Sequence, residues 1–285
     1  AMNNTKLKEL KYFATNCRED IIRMSALGGC FIGASLSCVD MIVYLYNEYF
    51  NIVDTGIASD HRDYFILSKG HDVPALYSVL ARLNIIDFDR LKNHCKLNDQ
   101  IYWHPNTSIP GIEFHSGSLG HGLSVGMGIT YFHKINEMPN KTVVMIGDGE
   151  MNEGSIWEGL LVASAKKLNN LIVIVDRNEF QANLRTEELI PLEPIEDKLT
   201  SFGWNTKRIN GHSFAEIDQA FKKIQDSPKP SVIIANTVRG KGLPSIEKDS
   251  TRWFVHFSQK EVVELIDELH GKKMASLTTE KQLVR

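Results

Sequence analysis

Apolar residues recur at three- and four-residue steps through Leu7, Leu10, Ala14, Cys17, Ile21 and Met24, which predicts a helix over residues 5–27. A second helix is expected after Ser37, where Ser37-x-x-Asp40 resembles an N-cap pairing. Further on, Ser258-x-x-Glu261 reads as a capping box ahead of Val262, Leu265, Ile266 and Leu269. Between these ends the pattern changes. Tyr64–Leu67, Thr142–Ile146, Leu171–Val175 and Val232–Ala235 are almost continuously apolar, as suits strands buried on both faces, and Asn205–Ile209 reads as a fifth strand. Helical spacing separates them, with Trp157, Leu160, Leu161, Ser164, Ala165 and Leu168 expected on one face. The alternation predicts an α/β fold, a mostly parallel sheet flanked by helices on both faces.

Each expected strand runs into a polar turn. These are Ser68-Lys69-Gly70-His71, Gly147-Asp148-Gly149-Glu150, Asp176-Arg177-Asn178, Asn210-Gly211-His212 and Val238-Arg239-Gly240-Lys241-Gly242. In open α/β sheets ligands bind beyond the carboxyl ends of the strands, so these turns are expected to face one crevice. Asp148 offers a hard carboxylate oxygen and Asn178 an amide oxygen, one strand–helix–strand unit apart. With a nearby carbonyl, water and two diphosphate oxygens they can complete the octahedron that magnesium prefers. Gly149 lets a diphosphate approach the backbone, while His71 and Arg239 can donate to it. Asp and Asn are also ordinary turn residues, so spacing alone leaves the plainer reading open. The glycine-rich His115–Gly122 stretch can present backbone N–H groups to an anion, but it lacks the dinucleotide fingerprint.

Composition narrows the class. At 42% hydrophobic and 24% charged residues the 285-residue chain has ample core, which excludes wholesale disorder. A net charge of −3 implies no broad basic surface, so nucleic acid and membrane are not expected partners. Apolar runs are too short to span a bilayer, and Met2-Asn3-Asn4-Thr5-Lys6 lacks a signal-peptide core. Cys17, Cys30, Cys38 and Cys95 contain no Cys-x-x-Cys pair, so inert free thiols and a cytoplasmic location are expected. His61, His94, His133 and His270 read as surface residues.

The motifs in combination resemble those of transketolases. Gly147-Asp148-Gly149 followed by Asp176-Arg177-Asn178 is similar to the thiamine diphosphate motif of that family. Ser68-Lys69-Gly70-His71, Trp103-His104-Pro105-Asn106, Gly117-Ser118-Leu119-Gly120-His121-Gly122, Met151-Asn152-Glu153-Gly154 and Arg239-Gly240-Lys241-Gly242 also resemble family stretches, over roughly residues 10–270. The resemblance implies thiamine diphosphate with Mg2+ or Ca2+ as cofactors. It implies Asp148, Asn178 and the Phe180 carbonyl as metal ligands, and His71, Gly117, Leu119, Gly149 and Arg239 at the cofactor. Glu153 and His104 match catalytic positions, and Glu158 a second interface acid.

Only the family's diphosphate-binding part is matched, which implies a single such domain over residues 1–285. The pyrimidine-binding and C-terminal domains, with the activating glutamate, are then expected on a partner chain in an α2β2 heterotetramer. The substrates implied are sugars or keto acids. Two departures stand out. Phe31 falls where the family has a donor-binding histidine, which favours a donor with an apolar methyl such as pyruvate. Trp253-Phe254-Val255-His256 stands where Trp-His-Gly is usual, so His256 is a candidate replacement. The α-subunit of a 2-oxo-acid dehydrogenase and a non-catalytic cofactor-binding relative are the alternatives.

Overall fold

The computed structural model describes residues 2–52 and 56–281. The strands are β1 (Tyr64–Leu67), β2 (Thr142–Gly147), β3 (Leu171–Arg177), β4 (Phe180–Gln181), β5 (Leu184–Arg185), β6 (Asn205–Asn210) and β7 (Ser231–Asn236). Five of them form one parallel sheet in the order β1-β2-β3-β7-β6, and β4 and β5 make a small antiparallel hairpin. The longer helices are α1 (Asn4–Ser25), α2 (Ile32–Ser37), α3 (Val39–Tyr44), α4 (Val73–Arg82), α5 (Gly122–Ile135), α6 (Gly154–Ala165), α7 (Ile195–Ser201), α8 (Phe214–Ile224) and α9 (Gln259–Leu269).

Alternate strand residues enter two separate cores, as the two-residue period of a strand requires. Phe65, Val143, Met145, Ile172, Ile174 and Ile233 pack with α1, α3, α4, α8 and α9. Ile66, Val144, Ile146, Val173, Val175 and Ile234 pack with α5, α6 and α7. Helices cover both faces, which is why β1, β2, β3 and β7 show no polar alternation, whereas the edge strand β6 is largely polar. The register sets Gly147 beside Asp176 and Arg177 beside Asn236, so the turns after β2, β3 and β7 emerge side by side.

Several local expectations change. The α1 helix starts at Asn4 because the Asn3 side chain accepts the Lys6 N–H at 2.8 Å. Ser37 is not an N-cap. It closes α2, and its hydroxyl donates to the Asp176 carboxylate at 2.6 Å, turned toward the sheet instead of a helix end. Both halves of the Ser258–Glu261 capping box form. On α6 the buried face is Ile156, Gly159, Leu160 and Ala163, and Leu161 is 54% exposed. Apolar residues occupy both sides of that helix, so periodicity could not choose between them. Cys17, Cys30 and Cys38 are buried free thiols, and Cys95 is half-buried. Among the described residues no helix is long and apolar enough to cross a membrane.

His94 and His133 are buried, contrary to expectation, whereas His61 and His270 are exposed. The polar stretch around His94 hid its burial, because the ring is covered by distant parts of the chain. Burial pushes the His94 imidazole down to about 4. Between the ordinary histidine value and that one, the unfolded chain takes up a proton that the folded chain refuses. Stability should therefore fall as pH drops from about 6.5 to about 4, by up to about 3 kcal/mol. Urea unfolding at several pH values should show a smaller loss in His94→Gln. An equal loss in both proteins would refute the assignment to His94.

Candidate functional site

The site is built where β2 and β3 end. Asp148 follows β2 and starts a short 3-10 turn, its Oδ1 accepting the Gly149 N–H at 2.8 Å. Its Oδ2 accepts from Arg177 Nη1 at 3.0 Å and from the Glu179 N–H at 2.7 Å. Burial and the nearby Asp176 charge push the Asp148 carboxyl up to about 6, against the pull of Arg177 and the Glu179 N–H. Asn178 Oδ1 accepts the Phe180 N–H at 3.0 Å, which orients the amide at the adjacent strand end. Glu179 takes the left-handed backbone region at φ 68°, turning the chain into the β4–β5 hairpin and bringing Phe180 back over the strand ends.

A second layer of charge supports these two residues. Lys69, 2% exposed, donates to the Asp176 carboxylate and lies 2.8 Å from Asp72 Oδ2. Burial alone would lower the Lys69 ammonium, but the two carboxylates hold it well above its usual value. Asp176 also accepts from Ser37, Thr237 and Asn178 Nδ2. Glu150 is buried and accepts from Ser68 Oγ, from the Gly120 N–H at 2.9 Å and from the Gly147 N–H at 3.0 Å. It ties the turn after β1, the glycine-rich loop and the turn after β2 into one unit.

Arg239, in the turn after β7, is 6% exposed and has no ion-pair partner among the described residues. Its guanidinium donates to the carbonyls of Ser250 at 2.8 Å and Arg252 at 3.4 Å, and stands 5.2 Å from the Phe180 ring. Gly33 makes room for it, since a Cβ there would lie 2.7 Å from Arg239 Nε. Burial lowers the guanidinium to about 10, with Asp72 and Asp249 opposing.

Asp148, Gly149, Asn178, Phe180, His71, Leu119 and Arg239 all line one cleft at the carboxyl ends of the strands. Gly117 and His104 pack against each other beside it, a Cβ on Gly117 falling 2.9 Å from the His104 ring. Burial lowers the His104 imidazole below its ordinary value. Glu153 and Glu158 are exposed on α6 and its N-cap, outside the cleft lining. His256 is exposed and contacts the Ala26 carbonyl at 3.2 Å, so it does not reach the cleft. Trp253 does line it, as do Lys69 and Asp72, which sequence reasoning missed. The signal for Lys69 was a lysine two positions beyond an apolar strand end. For Trp253 the signal was its match to the tryptophan of the family's Trp-His-Gly stretch.

The oxygen donors suit a hard dication. Asp148 uses three of about four acceptor positions, and Asn178 supplies a neutral oxygen beside it. No trio of His, Cys, Asp or Glu forms a metal cluster among the described residues, so a metal here would rely on mixed oxygen donors. A parallel α/β sheet whose strand ends gather paired oxygen donors and a buried guanidinium with no ion-pair partner among the described residues suits an anionic ligand.

Comparison with known proteins agrees. Residues 19–277 match the thiamine diphosphate binding domain of transketolase. The chain is 37% identical over 217 residues to an apulose-4-phosphate transketolase subunit of Phocaeicola vulgatus, covering 76% of this chain and 77% of that one. It is 37% identical over 226 residues to a 6-deoxy-6-sulfo-D-fructose transketolase subunit of a Clostridium species, covering 76% and 79%. The transketolase crystal structure from Campylobacter jejuni superposes with a TM-score of 0.82 at 26% identity, covering 95% of this chain and 43% of that chain. The chain belongs to the transketolase family, as an N-terminal, transketolase-like transferase subunit.

Proposed function

We propose that this chain holds thiamine diphosphate through a divalent cation, magnesium or calcium, bound by Asp148, Asn178 and the Phe180 carbonyl. Arg239 carries the reading: a buried guanidinium with no ion-pair partner among the described residues lines the same cleft as those oxygen donors, and a diphosphate would neutralise it. His71 donates to the diphosphate, and Gly149 and Leu119 contact the cofactor. When bound, thiamine diphosphate supplies the carbanion chemistry of two-carbon transfer. His104, kept neutral by burial, can accept a proton or a hydroxyl hydrogen bond from substrate beside Gly117. Glu153, exposed, is assigned to the contact between two active sites.

The partner is a second chain carrying the pyrimidine-binding and C-terminal domains with the activating glutamate, in an α2β2 assembly. Two relatives named as transketolase subunits support a divided enzyme. Tyr131, Phe132 and Ile135 on α5 and Leu161 and Val162 on α6 leave apolar surface exposed, as an unpartnered subunit would. The purified chain alone should show no turnover. Full activity without a second chain would refute the divided enzyme.

The transferred unit is a ketol or acyl group, and the acceptor an aldose or ketose. Phe31 favours an acyl donor such as pyruvate. Its ring stands 5.3 Å from His71, 5.1 Å from Trp253 and 5.2 Å from Phe254, an aromatic wall with no hydrogen-bond donor on Phe31. The relatives' names, which specify ketoses, favour a ketol donor. A donor screen on the co-expressed complex decides between them. Pyruvate use that falls in Phe31→His while ketose phosphate use rises supports the aromatic wall as the determinant. Use of ketose phosphates alone by the unaltered protein overturns the acyl reading.

A further inference from the structure

The stretch 249–254 has little regular structure, yet it supplies both carbonyls that hold Arg239. What fixes that stretch lies outside the cleft lining. Arg252 is 4% exposed and donates through Nη1 to the Thr279 carbonyl at 3.0 Å and through Nη2 to the Leu277 carbonyl at 3.3 Å. Asp249 pairs with Lys281 at 2.8 Å and accepts the Thr251 N–H at 3.1 Å.

The segment after α9 is itself laid along a row of carboxylates on that helix. Glu268 accepts the Ala275 N–H at 2.8 Å, and Glu264 the Ser276 N–H at 2.8 Å. Glu261 accepts the N–H groups of Thr278 and Thr279, each at 2.8 Å, and the Thr279 hydroxyl. Residues 261, 264 and 268 are spaced by three and four, so the carboxylates stand on one helix face. The segment has no ladder of its own to join; these bonds satisfy its backbone.

We infer that Arg252 and the segment 275–281 form a strap that positions Arg239 for the anionic cofactor. The chain of contacts runs from the α9 carboxylates to the segment's backbone, from its carbonyls to Arg252, and from the Ser250 and Arg252 carbonyls to the Arg239 guanidinium. Without the strap, the 249–254 carbonyls lose their fixed place, and Arg239 must spend binding free energy on ordering itself. Trp253, which lines the cleft, belongs to the same stretch. Arg252 is thus a positioning residue, acting through Arg239. The inference rests on the reading of Arg239 as a diphosphate partner.

Calorimetric titration of thiamine diphosphate into the magnesium-saturated two-chain complex tests it. Arg252→Met, and a chain ending at Met274, should each bind about 10-fold more weakly, the scale of one lost charge-assisted hydrogen bond. Arg252→Lys should recover part of the loss, and kcat at saturating cofactor should stay near that of the unaltered enzyme. Because Arg252 acts through Arg239, adding Arg252→Met to Arg239→Met should cost nothing more. Additive losses, or full affinity in Arg252→Met while Arg239→Met binds poorly, would overturn the strap alone. Full affinity in Arg239→Met would overturn the diphosphate reading beneath it. If the shortened chain does not fold, hydrogen exchange across 249–254 in the full-length Arg252→Met protein provides the second measurement; unchanged protection there overturns the strap.

Discussion

Asp148→Ala should abolish magnesium-dependent retention of thiamine diphosphate. The expected loss of affinity exceeds about 100-fold, since removing even an outer-shell partner of a metal ligand costs 10- to 100-fold. The fold should survive, because Arg177 keeps Glu187 at 2.9 Å and Glu193 at 3.4 Å as partners. Asp148→Asn separates charge from shape. The amide oxygen can still accept from the Gly149 or Glu179 N–H, while the negative charge that a dication needs is gone. Both variants should therefore bind the cofactor poorly, with Asn the closer to native stability. Titration of the two-chain complex with and without magnesium is the measurement. Unchanged affinity in either variant removes Asp148 from the metal site.

Lys69→Met should cost about 3–5 kcal/mol of stability, the usual consequence of leaving a buried charge without its partner. Two carboxylates, Asp176 and Asp72, depend on this one ammonium, and both are essentially inaccessible to water. Burial would raise Asp176, yet Lys69 and the Ser37 and Thr237 hydroxyls hold it below its ordinary value. The midpoint of thermal unfolding should drop by on the order of 10 °C. Adding Asp176→Asn should restore part of the loss, because one of the two carboxylates left without the ammonium is then neutral, while Asp72 stays unpaired. A single variant within about 1 kcal/mol of the native protein would show that the lysine is not what neutralises the strand ends.

The two predictions concern residues of unequal legibility. Asp148 and Asn178 stood out because a polar turn follows each continuous apolar strand, and strand ends in a parallel sheet point the same way. His71, Gly149 and Arg239 were found by the same logic, and all line the cleft. Lys69 sits in one of those turns but gave no sign of burial, since a lysine's charge is normally in water. Ser37 looked like a cap because Ser and Asp at that spacing usually are; its hydroxyl instead reaches Asp176, 139 positions away. His94 and the outer face of α6 were misjudged for a related reason, because local polarity and local periodicity do not show what packs on top.

The order of hydrophobic and polar positions by itself determined the strands, the parallel class of the sheet and the end of it at which the polar turns gather. Those follow from backbone geometry and burial, which act over a few residues at a time. Only the tertiary structure decided which charges share the strand ends, that Arg239 has no ion-pair partner among the described residues, and that Arg252 ties the segment after α9 to it. These are pairings between residues far apart in the chain. Their strength depends on desolvation and on distances of a few ångströms, and a linear sequence contains neither.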